Sequence, residues 1–326
     1  MLSAVPFFSV IVPVRNGGAL FRDCLQALHD SSFDDWELIV VDDGSADESA
    51  LIAKGFGASL YESPGRGPAY ARNLGAHQAS GTFLFFLDAD CQVHSNTLAQ
   101  TAVILNADST IDGLFGSYDD APAASNLISQ YKNLQHHYVH QTSSREAHTF
   151  WTGCGCVKRD VFFASGGFDA ERYARPAIED IELGYRLTEA GYRIVLVKEV
   201  QVKHLKRWTL TSWLKADIFS RAVPWTELLL ERPRMSADLN LQWEQRASGV
   251  LALLMVLLLG WRRGRLYIIA PILCLLWLNR SFYTFLNKKR GFGFAIATLP
   301  LHWCYYLYSS ITFGCVTLLH HWRERR

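Results

Sequence analysis

Three runs of almost unbroken apolar residues constrain this chain most: FFSVIVPV (7–14), WELIVV (36–41) and TFLFFL (82–87). A strand with one wet face alternates polar and apolar residues, whereas one that is apolar at successive positions is buried on both faces. Such strands need helices above and below the sheet. Helical spacing appears between the runs, with Leu20, Cys24, Leu25 and Leu28 within residues 19–29, and again within residues 68–78. The succession predicts an α/β nucleotide-binding architecture with a mostly parallel central sheet, whose ligands sit at the carboxyl ends of the strands. Polar residues gather at those ends: Asn16, then Asp42-Asp43-Gly44-Ser45, then Asp88-Ala89-Asp90. No G-x-G-x-x-G opens the first helix and no Walker sequence occurs, so dinucleotide and P-loop chemistry have no support.

Further along, the pattern predicts a helix over 97–106, a strand over 111–117, a helix over 127–139 and an amphipathic helix over 179–190, stopped by Gly191. A strand follows at 193–198. The seven cysteines are scattered without a C-x-x-C pair, which argues against a disulfide framework and for a reducing compartment. Cys154-Gly155-Cys156 reads as small residues in a tight turn; as a metal site it would lack a second ligand pair. Residues 1–6 lack a cationic leader, so the N-terminus is expected to stay cytosolic.

Charge divides the chain. Its 326 residues carry a formal net charge of only +1 and a mean hydropathy of +0.05. Residues 1–248 hold 22 basic and 30 acidic residues (net −8), and residues 249–326 hold 10 basic and 1 acidic (net +9). The balanced total argues against a nucleic-acid partner. The split predicts an acidic soluble domain over 1–208, a connector over 209–247 and membrane helices, two to three of them, over 248–326. Residues 266–286 and 291–320 are each long enough to cross a hydrocarbon core, whereas 249–261 is short. Arg280 would be costly facing lipid and should snorkel or find a partner. In the connector, Trp213, Leu214, Ile218, Phe219, Trp225 and Leu228 form a stripe interleaved with Lys215 and Arg221. It suits either the headgroup layer or a helix packed on the protein.

Several polar residues are candidates for chemistry. Asp88 and Asp90 end an apolar strand, where unpaired charge is costly. A hard cation such as Mg²⁺ or Mn²⁺, shared with a bound diphosphate, would resolve that. Asp42 and Asp43 suit either an Asx-type turn or acceptance of a base imino hydrogen. Arg72, near the start of the helix after a Gly/Pro loop, suits an anion or base edge, or is an exposed helix arginine. Glu179 and Asp180 either oppose a helix dipole or supply a general base. His204 is either a lone histidine or a further metal ligand.

Taken in order, SVIVPVRN, WELIVVDDGSADES, GRGPAYARNLGA, FLFFLDAD, TGCGCVKRDVF, GGFDA and IEDIELGYRLTEAGYRI resemble the family 2 glycosyltransferases over about residues 7–205. The resemblance implies a GT-A fold and inverting transfer from a nucleotide-diphosphate sugar. It places Pro13 and Asn16 in the loop around the nucleotide, Asp43 on the base, Arg72 on base or phosphate and Asp88 on the ribose side. It also makes Asp90 the metal residue and Asp180, beside Glu179, the base that deprotonates the acceptor. The processive polysaccharide synthases of that family usually carry Gln-x-x-Arg-Trp after the base. Here the stretch is His204-Leu205-Lys206-Arg207-Trp208, so the resemblance points to single transfer onto a lipid-linked acceptor. The location implied is the cytosolic face of the inner or plasma membrane, in cell-envelope polysaccharide or glycolipid synthesis. The alternatives are a polyprenyl-phosphate sugar transferase, a processive synthase, or a non-catalytic nucleotide-binding scaffold.

Overall fold

A computed structural model describes residues 5–232 and 243–325. The chain forms two compact units, one made of residues 1–124 and 140–207, the other of 125–139 and 208–326.

The first unit is built on one sheet. Its strands are β1 (Phe8–Val14), β2 (Trp36–Asp42), β3 (Ser59–Glu62), β4 (Phe83–Leu87), β5 (Cys91–Val93), β6 (Gly113–Tyr118), β7 (Glu146–Ala147), β8 (Cys154–Lys158) and β9 (Ile194–His204). They lie in the order β3-β2-β1-β4-β8-β6-β9-β5, with β7 pairing β9. The expected parallel sheet is the β3-β2-β1-β4 half. Beyond β4 the sheet is mixed: β8 runs antiparallel to both β4 and β6, and β6 runs parallel to β9. Helices α1 (Gly18–His29), α2 (Ser49–Gly55), α3 (Pro68–Gln78) and α4 (Thr97–Ala107) cover it, followed by α5 (Leu127–Thr142), α6 (Arg159–Ala164) and α7 (Glu179–Glu189). Val10, Val12, Phe85 and Leu87 are fully buried on one side of the sheet with Cys24 and Leu25 of α1. Ile11 and Phe86, on the alternate positions, are equally buried, as two-sided coverage demands.

Three local expectations are corrected. Cys154-Gly155-Cys156 is not a turn but the buried strand β8, where a Cβ on Gly155 would overlap the Trp151 carbonyl. Pro13 lies inside β1, not in a loop. A proline is tolerated there because β4 pairs with β1 only as far as Ile11, leaving that flank of the strand open. The last strand does not stop at residue 198. It continues to His204 with Val200 and Val202 turned inward, across a register shift opposite Gly116.

The second unit is helical. It comprises residues 125–139, which include most of α5, then α8 (Leu210–Asp217), a π-helical turn (Ile218–Ala222), α9 (Val223–Leu230), α10 (Trp243–Gly260), α11 (Ile269–Leu278), α12 (Arg280–Arg290) and α13 (Phe292–Glu324). Trp213 is fully buried against Tyr131 and Phe282, so it packs on protein instead of sitting at a headgroup layer. Part of the connector (233–242) lies outside the described residues. The segment expected to span as one helix over 266–286 is bent by 67° between its two halves, at Asn279. There Asn279 donates to Ser248 Oγ at 3.0 Å and accepts from Tyr306 OH at 2.6 Å, a polar contact that a straight apolar helix would lack. Arg280 sits at the bend, donates to the Trp277 carbonyl and lies 4.7 Å over its indole, which gives its charge a partner. Among the described residues one helix, Trp243–Gly260, is long and apolar enough to cross a membrane, or two spans exist if the bent pair counts as one. The short stretch at 249–261 is thus the C-terminal part of a longer helix.

Candidate active site

The carboxyl ends of β1, β2 and β4 carry the polar loops. At the first two, Asn16 adopts a left-handed backbone (φ 53°) and joins both loops. Its N–H donates to Ser45 Oγ at 2.9 Å, and its Oδ1 accepts the Ala46 N–H at 2.7 Å. Asp42 accepts the Ser45 N–H at 2.7 Å, which is the Asx-type turn. Asp43 has a different task. Its Oδ1 accepts from Ser63 Oγ and the Arg66 N–H, and its Oδ2 from the Gly67 N–H at 2.8 Å. A carboxylate offers about four lone-pair directions, so one remains open. The 63–67 loop that wraps it requires glycine at 67, where φ is +93° and a Cβ would lie 2.5 Å from the Ala174 carbonyl oxygen.

At the end of β4 the acids are sorted by one cation. Arg72, on the second turn of α3, is buried and not exposed to an incoming anion. Its Nη2 donates to Asp88 Oδ1 at 2.7 Å and its Nη1 to Glu179 Oε1 at 2.8 Å. Glu179 Oε2 accepts the Ala177 N–H at 3.0 Å, so both oxygens of Glu179 are engaged. Burial and the neighbouring Asp90 raise the Asp88 carboxyl above the ordinary aspartate value, against the pull of Arg72.

Asp90 faces the other way. Pairing of Cys91 with His204 across β5 and β9 brings the His204 Nε2 to 3.7 Å from Asp90 Oδ2, with Lys206 Nζ at 3.9 Å. Burial opposes the charge on Asp90, but these two side chains outweigh it and hold the carboxyl down at about 2. His204 is thus the last residue of β9, stacked on Tyr118 at 4.3 Å.

Asp180 opens α7 beside Glu179. It is half-buried, and burial together with the Glu179 charge pushes its carboxyl up to about 6. Its Oδ2 accepts from the Thr152 N–H (3.2 Å) and hydroxyl (3.3 Å), and its Oδ1 from the Ile181 N–H.

Residues 9–163 match the model of the family described as Glycosyl transferase family 2. That stretch is a little under half of the 326-residue chain. Among curated relatives, the chain is 29% identical over 212 residues to glycosyltransferase AglE of Haloferax volcanii, covering 61% of this chain and 67% of AglE. It is 35% identical over 120 residues to a PGL/p-HBAD biosynthesis glycosyltransferase of Mycobacterium bovis, covering 35% of this chain. The chain spans about half the length of that relative (47%). In fold it is similar to the mannosyltransferase PcManGT of Pyrobaculum calidifontis, solved with GDP-Man and Mn²⁺. The TM-score is 0.59 at 16% identity, over 98% of this chain and 88% of that one. GalNAc-T7, solved with UDP, GalNAc and Mn²⁺, superposes with a TM-score of 0.50 at 19% identity, over 66% of this chain and 48% of that one. The GT-A-like architecture expected from the motifs is therefore present.

Within the first unit the structure brings Arg72, Asp88, Glu179 and Asp180 together, and Asp90 with His204. Asn16 and Asp43 belong to the loops at the ends of β1 and β2. Tyr118 and Lys206 were not anticipated, nor was the contact of Thr152 with Asp180. Tyr118 ends a strand that is buried throughout, and nothing in its local sequence distinguishes it from core. Lys206, two residues beyond His204, was open to detection, because alternation on KEVQVKH extends the strand toward it.

Proposed function

We propose that the chain is an inverting, metal-dependent glycosyltransferase that moves a sugar from a nucleotide-diphosphate donor to a lipid-linked acceptor at the cytosolic face of a membrane. Cell-envelope polysaccharide or glycolipid synthesis is the setting. The observation that carries this reading is the division of labour among the acids. Arg72 occupies Asp88 and Glu179, Asp90 stays ionised beside His204, and Asp180 combines partial exposure with a carboxyl raised to about 6.

A divalent cation fits Asp90 and His204. Their facing atoms are 3.7 Å apart, too far for a hydrogen bond yet within reach of two ligands that each sit about 2.1 Å from a shared ion. No cluster of three or more candidate ligands occurs among the described residues, which suits an ion completed by phosphate oxygens. When bound, Mg²⁺ or Mn²⁺ would neutralise charge on the leaving diphosphate. The remaining work falls to protein groups. Asp43 has one lone pair open to a base imino hydrogen, Asn16 shapes the loop beside it just beyond Pro13 at the end of β1, and Asp88, fixed by Arg72, faces the ribose side. Asp180 accepts the proton of the acceptor hydroxyl as that oxygen bonds to the anomeric carbon. The bond from that carbon to the diphosphate oxygen breaks, and its electron pair leaves with the diphosphate. Inversion needs one base and no covalent enzyme nucleophile.

Membrane attachment is supported by Trp243–Gly260 and by exposed Leu257, Leu266, Ile269 and Leu318 in the helical unit. Large apolar side chains exposed on these helices suit contact with lipid. The test is release of nucleoside diphosphate by the purified chain from a panel of UDP- and GDP-sugars, with and without Mn²⁺ and membrane lipid extract. Metal-dependent release stimulated by lipid is expected. No release under any condition would refute the reading.

A further inference from the structure

We infer that Trp151 is the platform on which the donor's sugar ring rests, and hence a specificity-determining residue; this deepens the transferase reading and rests on it. Several contacts hold this one half-buried indole still. Tyr118 meets it edge-on at 4.8 Å and 83°, and His140 meets it at 5.5 Å and 89°. The chain lacks a Cβ at Gly153, where one would overlap the indole ring. Tyr118 and His140 are both buried, whereas Trp151 keeps an accessible portion.

Its location follows from what each neighbour touches. The Tyr118 ring stacks on His204, whose Nε2 faces Asp90, on the diphosphate side of the reaction. The next residue in the chain, Thr152, donates both its N–H and its hydroxyl to Asp180, the group on the acceptor side. Direct displacement puts the anomeric carbon between the leaving diphosphate and the base. The sugar ring attached to that carbon must therefore lie along the wall joining Asp90 to Asp180, and Trp151 is the aromatic side chain of that wall. The C–H face of a pyranose is apolar and complements an indole face, while the sugar hydroxyls remain free for polar contacts. Because Tyr118 and His140 fix the ring, its ordering is settled before the ligand arrives.

The experiment compares wild-type chain, Trp151→Ala and Trp151→Phe in detergent with Mn²⁺. Binding of UDP, UDP-N-acetylglucosamine, GDP and GDP-mannose is measured by calorimetry. For the nucleotide that the wild type binds, Trp151→Ala should weaken the sugar-bearing ligand about tenfold, equivalent to roughly 1.4 kcal/mol. The bare diphosphate should change less than twofold, and Trp151→Phe should recover most of the loss. The unchanged diphosphate affinity also reports that the variant is folded. Equal weakening of both ligands would make Trp151 a packing residue and overturn the inference, as would no change in either. A wild-type chain that binds no nucleoside diphosphate would instead defeat the transferase reading itself, and the inference with it.

Discussion

Replacing Arg72 with Met should cost far more than a surface arginine does. Arg72 and Glu179 are each 4% exposed, so the variant strands a carboxylate in the interior. Breaking a buried ion pair from one side costs about 3–5 kcal/mol, most of it the penalty on the charge left behind. Asp88, with its side chain about a third open to solvent (32%), can be rehydrated and adds little to that figure. No hydrogen bond is lost at Nε, which has no partner in the native fold. For a unit of roughly 150–250 residues, each kcal/mol moves the melting point by about 2–4 °C, so the first unit should melt about 6–20 °C lower. Glu179→Gln in the same background removes the stranded charge and should restore at least about 2 kcal/mol. Thermal unfolding in detergent, followed by near-UV circular dichroism across the four-protein cycle, gives the coupling directly. Additive effects within about 0.5 kcal/mol, or a loss below about 1 kcal/mol for Arg72→Met, would show that Arg72 does not organise the acids.

Other expectations concern the base, the nucleotide loop and the helical unit. A base with a carboxyl near 6 is protonated below that pH, so transfer should rise with pH through about 6 and level off above it. The same shift bears on stability: a carboxyl raised from 3.8 to about 6 by folding stabilises the fold below 3.8, and that contribution is lost as pH climbs through 6. Asp180→Asn should therefore melt no lower than wild type at pH 7.5, and higher by on the order of 1 kcal/mol, while losing transfer. Gly67→Ala forces a Cβ to 2.5 Å from the Ala174 carbonyl oxygen at φ +93°, and should cost about 1–3 kcal/mol and weaken nucleoside diphosphate binding in a titration. Asn279→Leu removes the bonds to Ser248 and Tyr306, and should lower the thermal stability of the helical unit by about 1–3 kcal/mol.

The sheet was legible where burial is two-sided. β1, β2 and β4 announce themselves because each position must be apolar, and their ends stand out because acids follow abruptly. β3 escaped notice: SLYE is short, partly exposed and at the sheet edge, where neither face needs a run of apolar residues. β8 was misread because Gly153 and Gly155 favour a turn when the stretch is read in isolation. In the fold those small residues admit Phe150 and Trp151 against the strand, a tertiary reason invisible in a local window. β9 was cut short at Lys198 and Glu199, a charged pair at the point where its pairing with β6 shifts register. The site residues themselves were named from their types and positions. Their connections were not, because Arg72 on α3 and Glu179 at the start of α7 are 107 residues apart and meet only in the folded chain. The helical unit was least legible. Hydropathy alone reads 266–286 as one span, while the polar contacts of Asn279 lie on α10 and α13.

The most direct test of the central claim is nucleoside diphosphate release by wild type, Asp90→Asn and Asp180→Asn, with the active donor, Mn²⁺ and lipid extract, each protein first shown to be folded. Both variants should lose at least about a hundredfold in rate, the lower end of what one positioned proton acceptor contributes. Asp180→Asn should still bind the donor with near-native affinity, whereas Asp90→Asn should lose the metal dependence of binding. Wild-type rates in both variants would contradict the account.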